Sequence, residues 1–210
     1  MMRYKIKSKK LKSELLIMII KLIFIVSLGL EDIIEEGPFP YCGEHIFNCW
    51  NCGCGEWFSD ESIAIEGGFP TQIKASYGDD PYNDPVDTIV RGIQFTYGNL
   101  SGTYHGAHSD DLAEEVCNLN PGERILRIHG STQPYRSELR SSEWIQRIEF
   151  DTTSQICGPY GGEIGAKTIE PTFNDCNLFY ISGTVMGAHK TISAITFHWK
   201  CDNSTTVSVF

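Results

Sequence analysis

The chain has 210 residues, enough for one domain of ordinary size with some length to spare. It carries 17 basic and 27 acidic residues, a formal net charge of −10 at pH 7. Phosphate backbones and anionic lipid surfaces repel a protein of this sign, and no cluster of basic residues follows residue 30. We therefore expect no nucleic-acid partner.

The first 29 residues have the pattern of a secretory signal peptide. Residues 1–14 are rich in lysine, residues 15–30 are apolar apart from Lys21, and small residues precede a predicted cleavage after Gly29. A membrane anchor is the alternative, but the apolar run contains a lysine and is shorter than the roughly 20 residues of a spanning helix. We expect a secreted, extracellular protein without membrane insertion. Its mature chain keeps ten basic and 26 acidic residues, a net charge of −16.

Residues 30–52 are predicted to form an acidic linker and a cysteine-rich N-terminal segment. Four cysteines crowd together at the end of this segment and just after it: Cys42, Cys49, Cys52 and Cys54. Secretion favours disulfides, although Cys49 and Cys52, with His45 nearby, have the spacing of a zinc knuckle. Four more cysteines lie further along the chain: Cys117, Cys157, Cys176 and Cys201. All eight are disulfide candidates, and their spacing does not decide how they pair.

Two kinds of predicted strand recur three times in the rest of the chain. One has the pattern I-x-x-I-x-F, with Val as its first residue in the first copy, and ends at Phe95, Phe150 and Phe197. Its last two apolar residues are two apart, so they lie on one face of a strand. A second strand precedes each copy and closes with a glycine: Gly78, Gly130 and Gly183. Three similarly spaced units predict a repeat architecture of three β-sheet units around one axis.

Two loops carry side chains of the kind that bind metal ions. Residues 79–87 include four carboxylates, but their spacing does not match a calcium loop, and we expect an exposed acidic loop. His105 and His108 stand near Asp110, but odd spacing on a strand places the two imidazoles on opposite faces. We expect surface or hydrogen-bonded histidines here and no metal site. The next segment, residues 109–116, is typical either of a helical turn or of an irregular strand.

Five segments, taken in order, resemble the jacalin-related lectins. They read GIQFTYG at residues 92–98, PGERI at 121–125, GPYG at 158–161, ISG at 181–183 and AITFHW at 194–199. The likeness is closest to the secreted animal branch typified by zymogen granule membrane protein 16. It covers about residues 53–200 and leaves a polar tail at 201–210. It implies an all-β protein with the type I β-prism fold, three four-stranded antiparallel sheets with pseudo-threefold symmetry.

The resemblance also implies a sugar site at one end of the prism. In the family, a glycine-rich N-terminal loop meets a G-x-x-x-D loop whose Asp and backbone amides bind a monosaccharide such as mannose. The corresponding position here is Ser193, or Thr191 if four residues are counted from Gly187, and a hydroxyl accepts weaker hydrogen bonds than a carboxylate. The expected carbohydrate-binding residues are Gly53, Gly55, Gly187, Ala188, His189, Lys190, Thr191, Ile192 and Ser193.

Three functions are compatible with this altered loop. The protein binds a different glycan through backbone amides, His189 and Lys190, or it binds an anionic sugar such as a sialic acid through the same two side chains. Alternatively, it has lost sugar binding and serves as a prism scaffold for a protein partner or an extracellular matrix. The expected partners are therefore glycans or glycoproteins. Neither a G-x-S-x-G elbow nor an H-E-x-x-H motif occurs, so we expect no enzyme activity and no cofactor.

Two Asn-x-Ser/Thr sequons become glycosylation candidates if the chain is secreted. They begin at Asn99 and Asn203.

Overall fold

The computed structural model describes residues 33–39, 55–81, 88–134, 143–163, 167–169, 175–186 and 189–201. Within these ranges the chain forms thirteen strands and one short helix. The strands are β1 Ile33–Phe39, β2 Glu56–Ser59, β3 Pro70–Asp79, β4 Thr88–Tyr97, β5 Leu100–Ser101, β6 His105–Gly106, β7 Ala113–Asn118, β8 Ile125–Pro134, β9 Glu143–Thr152, β10 Ile156–Gly161, β11 Lys167–Ile169, β12 Cys176–Met186 and β13 Thr191–Cys201, and the helix α1 is Glu61–Gly67.

The strands form three antiparallel sheets. The first has the order β1-β13-β12-β2, the second β5-β4-β3-β7 with β6 also paired to β4, and the third β10-β9-β8-β11. The central strands β4, β9 and β13, one from each sheet, contact one another around a common core. The predicted β-prism is therefore confirmed. The second sheet has five strands rather than four because two dipeptide strands, β5 and β6, share one edge of β4.

The repeated apolar pattern forms the core strands β4, β9 and β13. Its nine apolar residues are at most 1% exposed. In each strand the pairing register shifts between the first and second apolar residue, so that one residue is left unpaired: Arg91, Gln146 and Ser193. A β-bulge of this kind reverses the alternation of faces once. Because of the bulge, two apolar side chains three residues apart both point into the core.

The pairing register corrects one predicted equivalence between the three repeats. Gly130 pairs with Ile148 and Gly183 pairs with Ile195. The residue in the same place opposite Ile93 is Ala75, which is fully buried, and not Gly78. The threefold repeat is therefore real, but the three glycines are not its equivalent positions.

The N-terminal edge of the prism begins earlier than predicted. Residues 33–39, which we expected in the linker, form β1 and pair with β13. Glu35 and Glu36 made this segment look like a polar spacer. Ile34 and Phe39 nevertheless pack against the core, and the Phe39 ring lies 6.0 Å from that of Phe197. The expected signal peptide, the remainder of the linker and the tail at 202–210 lie outside the described residues.

Four of the eight predicted disulfide candidates form two disulfide bonds. Cys117 on β7 bonds to Cys157 on β10 and joins the second sheet to the third. Cys176 on β12 bonds to Cys201 on β13 within the first sheet. The other four cysteines, together with His45, fall outside the described ranges: Cys42, Cys49, Cys52 and Cys54.

Three further features complete the comparison with the sequence. In the segment at 109–116, which was predicted as a helical turn or an irregular strand, residues 110–112 form a turn and strand β7 begins at Ala113. Asn99 is exposed in the turn between β4 and β5, whereas Asn203 is not among the described residues. In the part of the chain that can be described, no helix has the length and apolar character needed to cross a membrane.

Candidate functional site

The hairpin that joins β12 to β13, the two central strands of the first sheet, lies at one end of that sheet. Met186 pairs with Thr191, so the loop consists of residues 187–190. Gly187 and Ala188 lie outside the described residues, while His189 and Lys190 are exposed. Lys190 has a φ of 48°, a left-handed conformation that is uncommon for a residue other than glycine. The hairpin therefore turns sharply just before β13 begins.

Arg91 fastens this hairpin to the second sheet. It is the bulge residue of β4 and only 8% exposed. Its guanidinium donates hydrogen bonds to the carbonyl oxygens of Asp79, at 2.9 Å, and His189, at 3.3 Å. One nearly buried cation thus holds the end of β3 and the loop before β13 in a fixed relation.

A first cavity of about 340 Å³ opens beside the hairpin. Its walls come from β2, from β6 and the residues before it, and from the hairpin: Glu56, Trp57, Phe58, Ser59, Thr103, His105, Gly106, Val185 and Lys190. Trp57 is 64% exposed, which leaves a large flat apolar ring at a cavity whose other walls include the polar side chains of Glu56, Ser59 and Lys190. An aromatic face beside a few convergent polar groups is typical of a small-molecule site.

Buried polar side chains stand behind the wall of this cavity. Asp60, 2% exposed, has its Oδ1 2.7 Å from Nε2 of His105, and its Oδ2 accepts a hydrogen bond from the Tyr97 hydroxyl at 2.9 Å. The His105 ring stacks on Phe58 with 3.8 Å between ring centroids. Burial, followed by the nearby charge of Asp60, raises the pKa of Tyr97 well above its usual value, so that its hydroxyl stays protonated as a donor.

A second cavity of about 660 Å³ adjoins the first and shares Gly106 and Lys190 with it. Its walls are Asp79, Pro81, Arg91, Gly106, Ala107, His108, Ser109, Asp111, His189 and Lys190. The hydrogen bond from Ser109 lowers the pKa of Asp111, so this carboxylate is ionised at neutral pH. Two carboxylates and two permanent cations therefore line the cavity. The charges balance, which gives an anionic sugar no net attraction here.

The structure brings only some of the predicted sugar-binding residues to the surface. His189 and Lys190 line the cavities, and Gly55 lies where β2 begins. A Cβ on Gly55 would lie 2.2 Å from the Val185 carbonyl oxygen, so only glycine permits this close approach of β2 to β12. Gly53, Gly187 and Ala188 are not described.

The three remaining predicted site residues lie behind the surface. Thr191 and Ile192 are fully buried and Ser193 is 4% exposed. The Ser193 hydroxyl donates to the carbonyl oxygen of Thr184 at 3.1 Å and lies 2.8 Å from the Thr184 hydroxyl. These side chains are buried at the base of the hairpin. The exposed polar groups near the hairpin come from other residues.

The two histidines considered as metal ligands are both hydrogen-bonded, as expected. His105 pairs with Asp60, whereas His108 is exposed and its Nδ1 lies 3.0 Å from Glu114. Across the described ranges no three His, Cys, Asp or Glu residues are grouped so that they could hold a metal ion.

Three side chains on the first sheet repeat the order of groups found in a hydrolase triad. The Ser182 hydroxyl lies 2.8 Å from Nε2 of His198, and Nδ1 of His198 lies 3.5 Å from Glu35. Ser182 and His198 are 2% and 5% exposed, and neither of the two cavities described above is lined by them. The three residues join β12, β13 and β1 side by side and give a substrate no access to the serine.

Comparison with solved structures finds the same fold in several lectins. The chain is similar to a mannose-specific jacalin-related lectin from Morus nigra, in complex with mannose, with 20% identity over 82% of this chain and 97% of that one and a TM-score of 0.58. It is similar to frutapin, a lectin from Artocarpus incisa, with 20% identity, coverage of 80% and 97%, and a TM-score of 0.58. Frutalin from Artocarpus incisa is 18% identical, with coverage of 82% and 98% and a TM-score of 0.56.

Comparison of the sequence with family models identifies the family, whereas comparison with curated proteins does not. No curated protein sequence matched the chain. The sequence model of the jacalin-like lectin domain matches residues 83–198, more than half of the chain. The protein therefore belongs to the jacalin-like lectin domain family.

Proposed function

We propose that this protein is a secreted carbohydrate-binding protein whose sugar-binding loop lacks the Asp of its family. One observation carries the proposal: the first cavity presents the exposed Trp57 ring next to the Lys190 hairpin. Family membership supports it, and several solved relatives are named as lectins, one of them in complex with mannose. In this proposal the glycan binds in the first cavity.

The chemistry of the cavity suits a neutral sugar. The apolar face of a pyranose ring packs on Trp57, while Glu56 accepts hydrogen bonds from hydroxyls and Lys190 donates to them. Loss of the family's carboxylate removes a charge-assisted hydrogen bond worth about 1.5–3 kcal/mol, which corresponds to roughly a ten- to hundredfold weaker affinity. A replacement for this acceptor has to come from residues outside the hairpin.

Several finer features belong to the same proposal. In this proposal the N-terminal 29 residues act as a signal peptide, and the chain is a member of the secreted animal branch typified by zymogen granule membrane protein 16. Its partners are glycans or glycoproteins, and it neither catalyses a reaction nor inserts into a membrane. Asn99, exposed in a turn, would carry an N-linked glycan in the secreted protein.

A prism scaffold without sugar binding is the second candidate. It is favoured by the burial of Thr191, Ile192 and Ser193, which leaves no side chain from this part of β13 at the surface. An exposed tryptophan also suits the centre of a protein interface. In that case Trp57 would contact a protein partner rather than a sugar.

A glycan array probed with the full chain, disulfides intact, separates the two candidates. The parent should retain at least one glycan, and Trp57→Ala and Lys190→Ala should each weaken that binding, Trp57→Ala by about tenfold or more. Ile156→Ala is the matched control, since Ile156 is a similarly exposed apolar residue, 61%, on β10 of the third sheet. If the parent retains no glycan on the array, the lectin proposal fails and the scaffold replaces it.

A further inference from the structure

His105 is a nearly buried polar side chain in the wall of the first cavity. The side chain is 7% exposed. Nε2 lies 2.7 Å from Oδ1 of Asp60, and this is the one hydrogen bond of the His105 ring found within the described ranges, which leaves Nδ1 available. A buried polar group left open toward a cavity is suited to a ligand.

The hydrogen bonds behind His105 determine where its proton lies. Asp60 is a carboxylate that only accepts, and its Oδ2 already accepts from the Tyr97 hydroxyl. Its Oδ1 therefore accepts from Nε2–H of His105. In the neutral imidazole the second nitrogen then carries a lone pair, because one ring nitrogen is a donor and the other an acceptor. Nδ1 is thus a hydrogen-bond acceptor.

We propose that Nδ1 of His105 accepts a hydrogen bond from a hydroxyl of the bound sugar, so that the Asp60–His105 pair takes the acceptor role that Thr191 and Ser193 leave empty. This inference rests on the proposed lectin function and specifies it. The ligand class is a neutral pyranoside that places its apolar face on Trp57 and a donating hydroxyl at His105.

The surroundings of His105 hold its ring in one orientation before a ligand arrives. Phe58 stacks on one face, and the following residue, Gly106, has a φ of 107°. A Cβ at Gly106 would lie 2.2 Å from the Arg91 carbonyl oxygen, so the backbone beside His105 is pressed against β4. An acceptor fixed in this way loses little conformational entropy on binding, which favours affinity.

Two substitutions alter Nδ1 in different ways. In Asp60→Asn, the carbonyl oxygen can still accept from Tyr97 while the amide N–H donates to Nε2, which moves the ring proton to Nδ1 and turns the acceptor into a donor. In His105→Gln, the amide nitrogen reaches the place of Nε2 and keeps the bond to Asp60, but no atom replaces Nδ1. His129→Gln is the matched control, since His129 makes the same kind of pair with Asp151, at 3.0 Å, in the third sheet.

The test combines imidazole ¹⁵N NMR of the ligand-free full chain with calorimetry. The calorimetric probes are the methyl glycosides of mannose, glucose, galactose and N-acetylglucosamine, and the deoxyfluoro analogues of the one that binds best. We expect His105 of the parent to carry its proton on Nε2. His105→Gln should bind about tenfold more weakly, and His129→Gln should bind as the parent does. One fluorine position should weaken binding to the parent, because fluorine cannot donate, and this difference should disappear in Asp60→Asn.

Each contrary outcome has a distinct meaning. If the parent binds a glycoside and His105→Gln binds it equally well, or if the proton of the parent lies on Nδ1, this inference is wrong and the lectin function stands. If none of the four glycosides binds the parent, this inference is wrong, because its ligand class is a simple neutral pyranoside, while the glycan array decides the lectin function separately. The position of the His105 proton is measured on the parent alone. The inference can therefore still be contradicted if a variant does not fold.

Discussion

The Arg91 guanidinium holds the carbonyl oxygen of His189 at 3.3 Å, across 98 positions of sequence. The same group holds the Asp79 carbonyl oxygen, so Arg91 positions the hairpin of the first sheet against the second sheet. Arg91 acts through the backbone of the hairpin, and we expect its replacement to affect glycan affinity by releasing that loop.

Arg91→Lys should weaken glycan binding and lower the free energy of unfolding by about 1–3 kcal/mol, because one ammonium cannot reach both carbonyl oxygens in the geometry of a guanidinium. Calorimetry with the array-selected glycan and urea unfolding measure the two effects. Arg127→Lys, a change at an exposed position on β8, serves as the control. Unchanged glycan affinity in Arg91→Lys would show that glycan binding by the hairpin does not depend on the two hydrogen bonds of Arg91.

The disulfide between Cys117 and Cys157 joins two sheets and closes a separation of 40 residues. Replacing both cysteines with serine should lower the free energy of unfolding by about 3–4 kcal/mol, since the unfolded chain regains the entropy that the loop removed. Denaturant unfolding of the double variant measures the loss. The Cys176 and Cys201 double variant, in which the separation is 25 residues, should lose slightly less. Coincident unfolding curves of parent and variants would contradict both expectations.

Glu123 links the turn before β8 to β9 and β10. Burial raises its pKa, but hydrogen bonds from the Thr152 hydroxyl, from Asn120 at 2.7 Å and from Gln155 at 3.1 Å outweigh burial and lower the pKa to about 2. The folded pKa lies below the unfolded value of 4.5, so this carboxylate stabilises the fold above that pH. The contribution is lost as the pH falls from about 4.5 to 2.

Thermal unfolding between pH 7 and pH 2 checks this prediction. Glu123→Gln should be less stable than the parent by about 1–3 kcal/mol near neutral pH and should lose less stability on acidification. Parallel curves for parent and variant would mean that Glu123 titrates alike in the folded and unfolded chains.

His198 also makes stability depend on pH, in the same direction as Glu123 but in a higher pH range. Burial lowers its pKa below 6.5, although Glu35 and Glu61 oppose the shift. The folded state therefore prefers the neutral ring, and the unfolded state binds the proton more readily. This contribution to stability is complete above pH 6.5 and is lost as the pH falls below that value.

Replacing His198 with Gln should make the melting temperature fall less between pH 8 and pH 5, because the buried ring no longer has to be protonated on unfolding. Differential scanning calorimetry across this range provides the measurement. His129→Gln, at a more exposed histidine, is the comparison. If the His198 variant and the parent show the same slope, the lowered pKa is not a source of the pH dependence.

The sequence predicted the repeated core but not the composition of the site. The apolar pattern ending at Phe95, Phe150 and Phe197 is local, and the bulge that it needs explains its three-residue spacing. Trp57 and His105 are 48 positions apart on different sheets, so no local signal places them at one cavity. Their proximity depends on how the first and second sheets pack.

The hairpin shows why the predicted site residues divided into two groups. The resemblance indicated Ser193 at the position of the family's Asp, and counting from Gly187 indicated Thr191, but neither argument predicts exposure. The bulge at Ser193 directs its hydroxyl to Thr184, and pairing with Met186 draws Thr191 into the sheet. Among the predicted site residues of this hairpin that the structure describes, His189 and Lys190 are exposed.

Tryptophan fluorescence during a titration with the array-selected glycan tests most directly whether the first cavity holds the sugar. The chain has four tryptophans, of which Trp50 lies outside the described residues. Trp144 and Trp199 are 4% and 0% exposed, so among the described tryptophans a ligand packed on Trp57 should dominate the change, and Trp57→Phe, which keeps Trp50, identifies the part that comes from Trp57. We predict a blue shift that saturates with the Kd found by calorimetry and that is absent from Trp57→Phe. A glycan that binds the parent without altering its emission, or that produces the same shift in Trp57→Phe, would contradict the account.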